Sequence, residues 1–76
     1  MSYHFKELMF GPSWRIIKDG FSRRSQAEAF AIDYFASAKS QIIGRDVDAE
    51  NDAIDFMTYK HGIMYQYAIE PEAAAK

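Results

Sequence analysis

Ala53-Ile54-Asp55-Phe56-Met57-Thr58-Tyr59-Lys60-His61-Gly62-Ile63-Met64-Tyr65-Gln66-Tyr67-Ala68-Ile69-Glu70 is the stretch that decides the fold. Residues 53–59 and 63–70 both alternate, which is the period of a strand. His61-Gly62 separates them as a two-residue loop, and glycine accepts the positive φ that such a turn needs. Turning there sets Thr58 opposite Tyr65, Phe56 opposite Tyr67 and Ile54 opposite Ile69, which gathers the large side chains on one face. A three-residue loop would set Phe56 against Gln66 instead. The two-residue register leaves Asp55, Met57, Tyr59, Met64, Gln66 and Ala68 on the other face. That face is half apolar where a wet side should be polar, which marks it as an exposed or partner-covered patch.

Upstream of the hairpin the period changes from two to that of a helix. Ala27, Phe30, Ala31, Tyr34, Phe35, Ala38 and Ile42 fall at i, i+3, i+4, i+7, i+8, i+11 and i+15, one stripe of an amphipathic helix. Ile32 falls off the stripe with no evident reason for exposure. Ser25 and Glu28 have capping-box spacing and predict the start, with Ser22 as the competing cap. Gly44 suits a C-cap position, and residues 42–47 read equally as a helix end or a strand.

Two strands precede the helix: residues 1–10, ended by Gly11-Pro12-Ser13, and Trp14-Arg15-Ile16-Ile17-Lys18, closed by Asp19-Gly20. The expected architecture is therefore α+β, a two-layer fold in which an antiparallel sheet of about four to five strands carries one helix across a face, in the order ββα(β)ββ. Residues 1–70 form the expected domain, and residues 71–76, beginning Pro71-Glu72, the expected disordered tail.

With 76 residues and no cysteine, one core must hold the chain without disulfides, and six Phe, five Tyr and Trp14 supply the bulk for it. Cysteine absence fits a reducing compartment, and neither a bilayer-length apolar run nor a secretory leader is evident, so the expected location is the host cytoplasm, off the membrane. The net charge of -2 is unevenly spread. Residues 1–45 hold seven Lys/Arg against four Asp/Glu, whereas residues 46–76 hold two against seven.

No catalytic set emerges. His4 and His61 are the only neutral-pH acid or base candidates, and the serines lack a G-x-S-x-G setting, so no enzyme is expected. Asp46, Asp48, Glu50, Asn51, Asp52 and Asp55 imitate a calcium loop, but Asn51 stands where glycine belongs and Met57 where the closing glutamate belongs, so neither metal nor cofactor is expected. The acidic run reads instead as a solvated connection or as an anionic patch for a basic surface. Arg15, Lys18, Arg23 and Arg24 bracket a turn near the helix start, where positive charge opposes the helix dipole, and form an alternative nucleic-acid contact.

Trp14-Arg15-Ile16-Ile17-Lys18-Asp19-Gly20-Phe21-Ser22-Arg23-Arg24 with the Ala-rich helix after it resembles the opening of a peptidoglycan-binding SPOR domain, although that family's second helix has no counterpart. In length, acidity, lack of cysteine and layout of hairpin, helix and hairpin, the chain is similar to small phage-encoded anti-CRISPR inhibitors. That resemblance is one of format, without a shared motif. It implies a non-catalytic protein that covers a working surface of a larger complex, here a CRISPR effector.

The expected function is thus a small inhibitor or adaptor that binds a larger protein through Asp46, Asp48, Glu50, Asp52, Asp55, Met57, Tyr59 and Met64, with a homodimer through the same hairpin face as a further partner. The alternative is a nucleic-acid-binding accessory protein using Arg15, Lys18, Arg23 and Arg24.

Overall fold

The structure, a computed structural model, describes residues 2–11 and 13–72. Its elements are β1 (Tyr3–Met9), β2 (Ser13–Phe21), α1 (Arg24–Ser37), β3 (Gln41–Asp48), β4 (Ala53–Lys60) and β5 (Ile63–Pro71). All strand pairs are antiparallel and the spatial order is β2-β1-β5-β4-β3. The ends of the chain therefore meet in the middle of the sheet, and β2 and β3, joined through the helix, form its edges. This is the expected α+β layout with five strands.

The deciding hairpin has the expected register: Thr58 faces Tyr65, Phe56 faces Tyr67 and Ile54 faces Ile69. His61 at φ 52° and Gly62 at φ 80° make the turn. Register continues into β1, where Phe5 pairs with Ile69 and Glu7 with Tyr67. The helix covers this face, and Phe5, Ala27, Ala31, Phe35, Ile54, Phe56, Tyr67 and Ile69 form the buried core. Alanines at positions 27 and 31 let the helix backbone approach, and aromatic rings fill what remains. Phe35 meets Tyr67 at 4.8 Å and Phe56 at 5.4 Å between ring centroids, both edge-on, the preferred geometry for aromatic pairs.

Several boundaries differ from the sequence expectation. The helix starts at Arg24, with Arg23 in the cap position rather than Ser25 or Ser22. The Gln26 side-chain oxygen accepts from the Arg23 N–H at 3.2 Å and from the Ser22 hydroxyl at 2.8 Å, while Glu28 accepts from Arg45 Nε on β3 at 2.5 Å. A tertiary ion pair has taken the glutamate from the local box. At the other end Ser40 N–H bonds Phe35 C=O and Lys39 N–H bonds Ala36 C=O, a Schellman motif whose left-handed residue is Lys39, φ 58°. Gly44 and Ile42 consequently belong to β3, not to the helix.

β2 runs through Asp19-Gly20 to Phe21 instead of ending at Lys18. At the C-terminal side, Pro71 is part of β5, Glu72 N–H bonds Ser2 C=O, and the Glu72 carboxylate accepts from Gly20 N–H at 2.9 Å. The first two residues of the expected tail are thus ordered; residues 73–76 lie outside the described residues.

Candidate protein-binding face

One face of the sheet carries the helix, and among the described residues the other carries no second layer. Alternation decides what the open face displays. On β4 and β5 it holds Asp55, Met57, Tyr59, Met64, Gln66 and Ala68, opposite to the buried Phe56, Thr58 and Tyr67. β3 would not continue the pattern without a bulge: Ile42 pairs with Thr58 but Gly44 pairs with Met57, so Ile43 is extra and every later residue changes sides. The bulge sends Arg45 to the helix side, where Glu28 waits, and Asp46 to the open side, directly opposite Asp55.

Two like charges face one another there, and neither makes an ion pair among the described residues. Partial burial, and then the charges of Asp46, Asp48 and Glu70, push the Asp55 carboxyl above its ordinary value. A shallow depression of about 300 Å³ lies beside this pair, lined by Gly44, Asp46, Asp55, Met57 and Gln66 among others. Gly44 contributes no side chain to it; a Cβ placed there would sit 3.6 Å from Met57 Cβ, an ordinary contact.

Across β1 the open face changes character. Glu70 accepts from Lys6 Nζ at 2.6 Å and lies 3.1 Å from His4 Nε2. Burial raises the Glu70 pKa, but the hydrogen bonds from Lys6 and His4 outweigh it and leave the carboxyl below its usual range. Lys6 also sits 4.5 Å from the Trp14 ring centroid. Pairing of Lys6 with Ile16 and Leu8 with Trp14 puts these residues on the same open side. Trp14, Ile16, Tyr59 and Met64 are exposed there, Met64 at 63%.

The structure brings together six of the eight protein-contact residues expected from sequence: Asp46, Asp48, Asp55, Met57, Tyr59 and Met64 alternate onto the open side. Asp48 is engaged locally, accepting from Asn51 N–H and Nδ2, and these bonds hold its pKa down. Glu50 sits in the β3–β4 turn. Asp52 belongs to the helix side, where it accepts from the Tyr3 hydroxyl and from Arg24 Nη1. Leu8, Trp14 and Ile16 join the face without having been anticipated. Alternation in β1 and β2 was the available signal, but which side it served depended on the β1–β5 register.

The four basic residues do not form one free cluster. Arg15 Nη2 donates to the buried Glu7 at 2.7 Å, and Arg24 is paired with Asp52. Lys18 lies 5.3 Å from the Phe30 ring centroid, and Arg23 is the helix cap.

No helix among the described residues is long and apolar enough to cross a membrane. No protein family, curated protein or solved structure matches this chain.

Proposed function

We propose that this chain is a small non-catalytic protein-binding module that docks by the open face of its sheet on a larger protein assembly. The observation that carries this reading is the juxtaposition, on the face away from the helix, of the Asp46–Asp55 pair, which makes no ion pair among the described residues, with half-buried Met57 and exposed Tyr59 and Met64. Apolar anchors beside a charged rim are the makings of a contact whose area supplies affinity and whose charge supplies orientation. A partner with a basic, partly apolar surface is the complement. The format resemblance to anti-CRISPR inhibitors supports a nucleic-acid-processing complex as that partner, since surfaces that grip nucleic acid are basic.

Direct nucleic-acid binding has less support, because Arg15 and Arg24 already hold carboxylates. The test is affinity capture from a lysate of the cells in which the protein acts, using wild type and a Met57→Glu/Tyr59→Glu/Met64→Glu variant whose fold is verified by circular dichroism. Capture of a protein complex by wild type and its loss by the variant is the expected result. Equal capture by both, or recovery of nucleic acid alone with steeply salt-dependent affinity, overturns it.

A further inference from the structure

The ladder between β1 and β5 stops at Glu7–Tyr67, yet neither strand stops there. β1 continues to Met9, still paired with β2, and β5 begins at Ile63, already paired with β4. Extending the ladder would set Leu8 opposite Gln66 and Met9 opposite Tyr65. Instead the two hairpin ends diverge and leave a groove of about 420 Å³, walled by Leu8, Met9, Phe10, Ile63, Met64 and Tyr65, with Glu7 and Gln66 toward its closed end.

Three features define what fits. Each wall is a strand paired only on its far side, so backbone groups facing the fork lack a ladder partner, and an extended backbone is the group that satisfies such a row. The side chains around it are apolar and accessible: Ile63 and Met64 are more than half exposed and the Phe10 ring is fully so. The carboxylate at the closed end is already held by Arg15, so no cation is called for there.

We infer that the fork receives an extended apolar segment of the partner protein, which takes up the ladder where β1 and β5 abandon it. This rests on the protein-binding reading above and names the partner's chemistry: a β-prone stretch rich in branched and aromatic residues. The volume lies within the ~300–1,000 Å³ of typical ligand sites, enough for the side chains of a short strand.

The probe is a displayed library of random peptides of roughly seven residues, selected on the whole protein, a length suited to strand addition. Selected peptides should be β-prone and should shift the backbone amides of Leu8, Met9, Phe10, Ile63, Tyr65 and Gln66 in the isotope-labelled protein. Affinity should fall about tenfold or more in a folded Met9→Glu/Ile63→Glu variant, and equally when alternate peptide amides are N-methylated. A Met57→Glu/Tyr59→Glu variant should bind the peptide unchanged. Enrichment of no peptide, shifts confined to other residues, or full binding of the N-methylated peptide overturns the proposal. So do fork shifts that track protein concentration without peptide, which would assign the fork to a second copy. Partner capture lost in Met57→Glu/Tyr59→Glu with no peptide at the fork removes the fork alone; peptide at the fork with capture unchanged in that variant removes the open face alone.

Discussion

The two faces of the sheet obey different rules. On the helix side the carboxylates are matched, Glu7 with Arg15, Glu28 with Arg45, Asp52 with Tyr3 and Arg24, and the one buried side-chain oxygen left without a partner among the described residues is the Thr58 hydroxyl. Burial, and then the Glu7 charge, hold the Tyr67 hydroxyl well above its ordinary pKa, so it stays protonated. On the open side methionine, tyrosine and tryptophan side chains meet water, and two carboxylates oppose each other across a strand pair. The helix side is arranged for stability; the open side retains features that cost stability and that a bound partner would make favourable.

Breaking the helix side should have the largest effect. Phe35→Ala empties a site bounded by Phe5, Phe56 and Tyr67 and should cost about 3–5 kcal/mol, enough to unfold much of so small a domain, as urea denaturation would register. Asp52→Ala removes the shared acceptor of Tyr3 and Arg24 and should cost about 1–2 kcal/mol by the same measurement. Lys39→Gly should move in the opposite direction, because a left-handed residue with a Cβ is strained, and should stabilise by roughly 1 kcal/mol.

The smallest effect belongs to the open side and sharpens the contrast. The folded-state pKa of Asp55 is raised, so the fold holds this proton more tightly than the unfolded chain does. Its contribution is fully favourable below the unfolded carboxylate value and is lost as pH rises through the folded value. Asp55→Asn should therefore stabilise the protein at neutral pH by a few tenths of a kcal/mol, because solvent screens the repulsion. That gain should fade as pH falls through the carboxylate range, as thermal melts across pH would show. The same substitution should weaken partner capture, the opposite sign to its effect on stability.

How far the sequence foretold this follows from where each signal lay. The register of the C-terminal hairpin was legible, because alternation and a His-Gly turn admit one good pairing, while each strand runs one residue further than alternation alone marked, to Lys60 and Pro71. Helix type was legible, but its start was not, since Glu28 was drawn away by Arg45, a residue 17 positions downstream. The β3 bulge at Ile43 has no local signature, and the face of Asp46 depends on it. The candidate surface was accordingly visible in its hairpin half. The acidic half had to be divided by the fold, which kept Asp46 and Asp55 on the face and turned Asp52 toward the helix.

The most direct test of the open face as the docking surface compares variants on opposite sides of one intact fold. Ile32 is exposed on the outer side of the helix, 46% accessible, and Ile32→Glu adds the same charge there as Tyr59→Glu adds on the sheet. Quantitative capture of the partner complex by the two folded variants should show binding retained by Ile32→Glu and lost by Tyr59→Glu in combination with Met57→Glu. Retention by the sheet variant with loss by the helix variant would place the contact on the other side of the molecule and contradict the division of labour between the two faces.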